Sequence, residues 1–224
     1  MTNVRFPNLS TPLLLGCLLL CATPGAVAAG LDYEARIVTL PLGTEPPGLD
    51  PSRLKDTVSW TIAGHVFEGL TRHDPEGRVV PGVAERWEID ADGATFWLRE
   101  DARWSDGRPI TARDFVFAWR RFVDPETAAP AAYRAEGIEN ATAILDGKAD
   151  PDTLGVRAAS DRVLEVAFER PMPLFDHEVA SVRFGPLRED IVRAHGEAFA
   201  ADADRMLYNG PFVIAEWVHD QRLR

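Results

Sequence analysis

The chain has 224 residues, with 35 acidic side chains against 24 lysines and arginines and a formal net charge of −11. So acidic a chain is a poor candidate for binding nucleic acid or an anionic membrane surface through charge, and its excess acid suits solubility in an aqueous compartment. Both cysteines, Cys17 and Cys21, precede the first acidic residue, so processing after Ala28 leaves no thiol for disulfides, thiolate metal sites or nucleophilic catalysis.

Residues 1–29 hold one cation, Arg5, then the apolar run Leu13 to Cys21 and the small-residue stretch Ala26-Val27-Ala28-Ala29. That order is a secretory signal peptide, and Pro24 and Gly25 interrupt it short of the roughly 20 apolar residues that span a membrane. Leu14-Leu15-Gly16-Cys17 also resembles a lipoprotein processing box that would lipidate Cys17. The leucines after Cys17 and the later Ala-Val-Ala favour cleavage at Ala28.

After the signal, Arg36 to Leu40 has the β-branched character of a strand, and Gly43 to Pro51 reads as a long ordered loop. Ser59 to Leu70 carries Ile62, Val66 and Phe67 at helical spacing, with Leu70 a turn further on. Asp74 to Gly77 is a turn, and Val79 to Trp87 leads into Thr95 to Arg99, where Phe96 and Leu98 share one face of a half-buried strand. Thr111 and Asp114 have capping-box spacing, and Phe115, Val116, Trp119, Phe122 and Val123 form one helical stripe that ends at Pro125. Leu154 to Phe168 reads as a hairpin, Arg188 to Phe199 as a helix and Pro211 to Trp217 as a strand. The chain stops at Arg224 within what reads as the following strand, which suggests a fragment of a longer protein.

Phe67-Glu-Gly-Leu70, Pro81 to Trp87, Thr95-Phe96, Leu98-Arg99, Trp104-Ser-Asp-Gly107, Pro109 to Ala112, Asp114-Phe115, Asn209-Gly210 and Trp217 occur in one ordered series. Together they resemble the oligopeptide-binding proteins of ABC importers, bacterial extracellular solute-binding protein family 5, from about Val38 onward. The resemblance implies an α/β, periplasmic binding protein type II-like fold whose two large lobes close on a ligand, with an extra small lobe. Residues 30–67 would begin the first large lobe, 68–187 form the extra lobe and 188–224 return to the first; the second large lobe would lie beyond Arg224. Of the motif residues, Asp106-Gly107 with Pro109 suits a tight strand-to-helix connection, and Trp87, Trp97, Trp104 and Trp119 read as core of the small lobe.

By the same resemblance, ligand contacts are expected in the loop after Leu49-Asp50-Pro51. Lys55 stands where the family has an acid, with Asp56 and Thr57 next to it. The aromatic contact expected after Pro130 is replaced by Ala131, with Tyr133 two residues on. Tyr208 and Asn209 are the other expected contacts, Asn209 because an amide bonds a peptide backbone through both donor and acceptor. Asp176-His177-Glu178 reads as a solvated cluster and not a metal site, and His65, His73, His195 and His219 lack partners at ligand spacing. No catalytic motif or cofactor-binding motif occurs.

The expected function is therefore non-enzymatic: capture of oligopeptides in the periplasm by a monomer that hands them to inner-membrane permease subunits. A binding protein for nickel, haem or a murein peptide, and a secreted hydrolase with an unrecognised site, are the alternatives.

Overall fold

The computed structural model describes residues 30–32, 34, 37–39 and 42–224. The signal-peptide and lipidation readings lie outside the described residues. Two compact units divide the chain at Pro41. In the first, β1 (Gly30–Asp32) pairs antiparallel with β2 (Ile37–Thr39), within the predicted first strand.

The second unit is built around an antiparallel sheet and one central helix. Strands β5 (Ala84–Ile89), β6 (Gly93–Leu98), β7 (Val156–Ser160) and β8 (Val163–Ala167) pair in the order β5-β6-β8-β7. Before them, the small hairpin of β3 (Thr71–His73) and β4 (Val79–Pro81) turns at the predicted Asp74–Gly77. Ala94, Phe96 and Leu98 of β6 are buried and alternate with half-buried Gly93, Thr95 and Trp97, as a strand covered on one face requires. The pleat corrects the reading of Trp97 as core: it lies on the opposite face from Phe96, beneath the Arg86 guanidinium at 3.4 Å from the ring centre. Trp87 is half-buried at the edge of the core, whereas Trp104 and Trp119 are fully inside it.

Helix α2 (Ala112–Val123) packs its stripe of Phe115, Trp119, Phe122 and Val123 against the sheet. Asp114 Oδ2 accepts hydrogen bonds from the Thr111 amide (2.8 Å) and hydroxyl (3.1 Å), closing the carboxylate side of the capping box. Edge-to-face rings extend this core: Trp119 lies 5.9 Å from Phe175 and 5.4 Å from Phe184, and Phe122 lies 5.3 Å from Phe184. Phe175 belongs to α4 (Phe175–Glu178), which follows α3 (Ala141–Leu145) and the β7–β8 hairpin; Phe184 belongs to the tight turn Val182–Phe184.

Three element boundaries differ from expectation. Helix α1 covers Thr57–Val66, and Phe67 is already extended, so Leu70 is buried from outside the helix. Helix α5 covers Glu189–His195 and gives way at Gly196, whose φ of 52° is left-handed, to a short 3-10 turn. The predicted strand Pro211–Trp217 contracts to β9 (Trp217–Val218), paired with β10 (Arg222–Leu223). The residues before Trp217 are engaged elsewhere, for the Phe212 amide donates to the His65 carbonyl at the end of α1.

Candidate functional site

Helix α1 organises the expected site residues into two groups at its opposite ends, about 15 Å apart for ten residues. At the N-terminal end Asp56 is the cap: Oδ1 accepts from the Ser59 amide (2.8 Å) and Oδ2 from the Ser59 hydroxyl (2.7 Å). Burial works to raise its pKa, but these bonds outweigh it and hold the carboxyl below its usual value. Thr57 and Lys55 are exposed beside it. A cavity of about 220 Å³ here is lined by Gly48, Asp50, Arg53, Asp56 and Glu197. Its loop is tied to α2 by a nearly buried pair, Arg121 to Asp50, with both guanidinium nitrogens donating at 2.9 and 2.6 Å.

At the C-terminal end, a chain of hydrogen bonds positions the other two residues. Gly107, at φ 85°, closes the turn begun by Trp104, and the Ser105 amide then donates to the Tyr208 carbonyl (2.8 Å) while the Tyr208 amide donates to the Ser105 hydroxyl (3.1 Å). The Tyr208 ring is buried, its hydroxyl donates to the Ala203 carbonyl (2.8 Å), and burial pushes the phenol up to about 12. Asn209 then uses both ends of its amide on one residue: Oδ1 accepts from the Glu68 amide (3.1 Å) and Nδ2 donates to the Glu68 carbonyl (2.8 Å). Gly210 follows, its amide donating to the Val66 carbonyl at 2.9 Å. A Cβ there would stand 2.6 Å from the Val66 carbonyl carbon, so the close approach needs glycine.

These contacts form one wall of a cavity of about 650 Å³, lined by Phe67, Glu68, Arg72, Arg99, Asn209 and Gly210 among others. Sequence reading missed its charged members. Glu68 receives Arg99 Nη2 at 3.2 Å and lies 4.0 Å from Arg72, yet burial dominates and raises its pKa. Arg99 Nε is buried without a hydrogen-bond partner. Glu68 and Arg99 both stand in the motifs that carried the resemblance, and a charge inside an otherwise apolar block was the signal that could have singled them out.

The histidines also find partners that sequence spacing does not show. His73 Nε2 lies 3.2 Å from His177 Nδ1, and His219 lies between Glu45 and Asp202, 2.8 Å from each. Among the described residues, no group of three or more His, Cys, Asp or Glu side chains is arranged to hold a metal ion. Nor is any described helix long and apolar enough to cross a membrane.

Residues 78–224 match the profile of the bacterial extracellular solute-binding proteins, family 5. The chain is similar to the probable deoxycholate-binding periplasmic protein YgiS of Escherichia coli (strain K12), 43% identical over 184 residues, 80% of this chain and 34% of that protein. It is also similar to the periplasmic oligopeptide-binding protein OppA of the same strain, 36% identical over 229 residues, 100% of this chain and 42% of that protein. Among solved structures it resembles the substrate-binding domain of an oligopeptide ABC transporter from Bacillus anthracis str. Ames, with a TM-score of 0.79 and 41% identity over 81% of this chain and 36% of that one. The chain thus spans 34% and 42% of the length of these two curated relatives. With the profile matching well over half of its residues and the α/β fold shared, the chain belongs to the bacterial extracellular solute-binding proteins, family 5.

Proposed function

We propose that the protein is the periplasmic solute-binding component of an ABC importer, capturing oligopeptides and delivering them to permease subunits without chemical change. The observation that carries this reading is a likeness running the whole length of the chain to a periplasmic oligopeptide-binding protein, at 36% identity. The cavity at the end of α1 suits such a task. Its wall combines the backbone of Glu68, the Asn209 amide and two arginines, which can engage polar main chain while leaving side chains to water.

Within this reading Asn209 keeps one N–H and one lone pair beyond those used on Glu68, and is the residue through which the wall would meet a peptide. Thr57 presents a hydroxyl at the exposed start of α1. Asp56 contributes by capping that helix, and Tyr208 by supporting Asn209 from behind. Residues 68–187 serve as the extra small lobe, with 30–67 and 188–224 belonging to the first large one. Two linkages join the lobes across these boundaries: Glu68 with Asn209, and Asp106 with Arg188 at 3.0 Å.

A second ligand class is favoured by one observation, the 43% identity to a probable deoxycholate-binding protein. Thermal unfolding of the purified protein, alone and with either a pool of two- to five-residue peptides or deoxycholate, separates the two. A ligand that binds the native state alone adds about 2.7 kcal/mol of stability at a hundred times Kd. Peptides that raise the midpoint and are recovered intact by mass spectrometry support oligopeptide capture. A response to deoxycholate alone replaces the peptide reading, and peptide cleavage removes the transport reading altogether.

A further inference from the structure

Arg183 is the anomaly in the charge pattern of this acidic protein. It is half-buried, no carboxylate among the described residues lies within ion-pair distance, and its Nε is buried with no hydrogen-bond partner among them. The central carbon of its guanidinium lies over the indole of Trp60, 3.8 Å from the ring centre. The nearest charges make its position worse: burial and the neighbouring Arg134 both depress its pKa, and Glu178, which partly compensates, is already engaged by Arg134 at 3.2 Å. A desolvated cation without a partner is costly, and proteins retain one where a partner arrives from outside.

The mounting is rigid. Arg183 is the middle residue of the turn Val182–Phe184, whose Phe184 is fully buried against Trp119 and Phe122. The Trp119 indole N–H donates to the Phe184 carbonyl at 2.9 Å, fixing the turn to α2 from inside the core. Trp60 is held on α1, which is capped at one end by Asp56 and closed at the other by Gly210. Val182, next to Arg183, and Gly64, one turn after Trp60, both line the 650 Å³ cavity, while Arg183 and Trp60 themselves lie outside that lining. Tyr133, two residues beyond the position of the expected aromatic contact, is 61% exposed and directly precedes Arg134, whose charge acts on Arg183.

We propose that Arg183, held on Trp60 and flanked by Tyr133 and Arg134, is a receptor for a carboxylate of the bound ligand. A planar guanidinium with unused donors matches a carboxylate in a two-point geometry, stacking on an indole leaves its edge free, and the exposed ring offers an apolar surface to the group bearing the acid. This narrows the ligand class of the capture reading and depends on it for its biological meaning. The carboxylate could come from a peptide C-terminus or from a non-peptide apolar acid.

The test follows the Arg183 Nε–H signal by NMR in the ¹⁵N-labelled chain, assigned by its loss in Arg183→Lys, during titration with trialanine, C-terminally amidated trialanine, octanoate and octanamide. The expected result is movement of that signal with at least one carboxylate probe, and about tenfold tighter binding of that probe than of its amide. The preference should fall to about one in Arg183→Met. Equal affinity for acid and amide, or a stationary signal with all four probes, overturns the proposal. If both trialanines bind equally and the signal stays still, peptide capture stands and the anion receptor fails. If octanoate alone moves it and neither trialanine binds, the receptor stands and the peptide reading fails.

Discussion

Two residues decide whether the walls of the candidate site hold their shape. Asn209 satisfies the backbone of Glu68 from 141 positions away, standing in for a neighbouring strand. Asn209→Ala should leave a part-buried amide and carbonyl unpaired and cost about 2 kcal/mol, read as a lower urea midpoint at unchanged slope. Asn209→Asp keeps the acceptor but loses the donor, so it should lie between the two. An unaltered midpoint in the alanine variant would mean that water replaces the amide without loss. Asp50 acts similarly at the other end of α1: Asp50→Asn should cost about 3 kcal/mol, since it strands the nearly buried Arg121. Neither role was legible beforehand. Asn209 was expected to face ligand because amides serve that purpose, but its partner lies in the part of the chain that sequence reading assigned to the end of a helix. Arg183 and Trp60 were hidden in the same way, because stacking between a turn and a distant helix leaves no periodic trace.

Among the elements, the legible ones carry their reasons locally. Helix α2 has its stripe, its Thr111–Asp114 cap and its terminating Pro125 within one stretch of sequence, and it forms where expected. The β7–β8 hairpin is similar, with Leu164 and Val166 alternating into the core. Helix α1 ends early for a non-local reason: the amides of Asn209, Gly210 and Phe212 occupy its last carbonyls, and the Asn209 side chain takes both backbone groups of Glu68. The helix is therefore fastened from outside at its C-terminus and by its own cap at the N-terminus. Asp56→Ala should cost about 1 kcal/mol and raise amide exchange in the first turn of α1, leaving Val66 and Phe67 protected. Because the folded carboxyl titrates below the usual aspartate value of 3.8, the stabilisation is present above that pH and lost as pH falls through the folded pKa. Uniform exchange along α1 in the variant would show that the cap matters less than packing.

Across the whole described unit, the longest-range tie is a charged clamp at the β9–β10 hairpin. Glu45, in the opening loop, accepts from the Trp217 indole (2.6 Å) and the Asp220 amide (3.1 Å), and its Oε1 lies 2.8 Å from His219 Nδ1. The other ring nitrogen of His219 faces Asp202 at 2.8 Å, and Asp202 also pairs with Arg205 at 3.1 Å. An imidazole can donate from both nitrogens only when protonated, so the clamp is complete only with His219 charged. The bonds to Asp202 and Glu45 raise the His219 pKa above 6.5; that contribution is fully present below 6.5 and lost as pH rises through the folded value. Both carboxylates titrate low, Glu45 because its hydrogen bonds outweigh burial and Asp202 chiefly because of His219, so their contribution is lost as pH falls below about 4.5 for Glu45 and about 3.8 for Asp202. Amide protection in β9 and β10 should accordingly be greatest between about pH 4.5 and 6.5 and decline on both sides. Salt should weaken it, since His219 is half-exposed. His219→Gln should abolish the alkaline decline while leaving an acid one from Glu45, whose bonds to Trp217 and Asp220 survive. Hydrogen exchange of the hairpin, with the His219 ring proton titrated in parallel, reads both limbs. Protection that stays level through the titration of His219 would mean that the hairpin is held by Trp217 and its backbone alone.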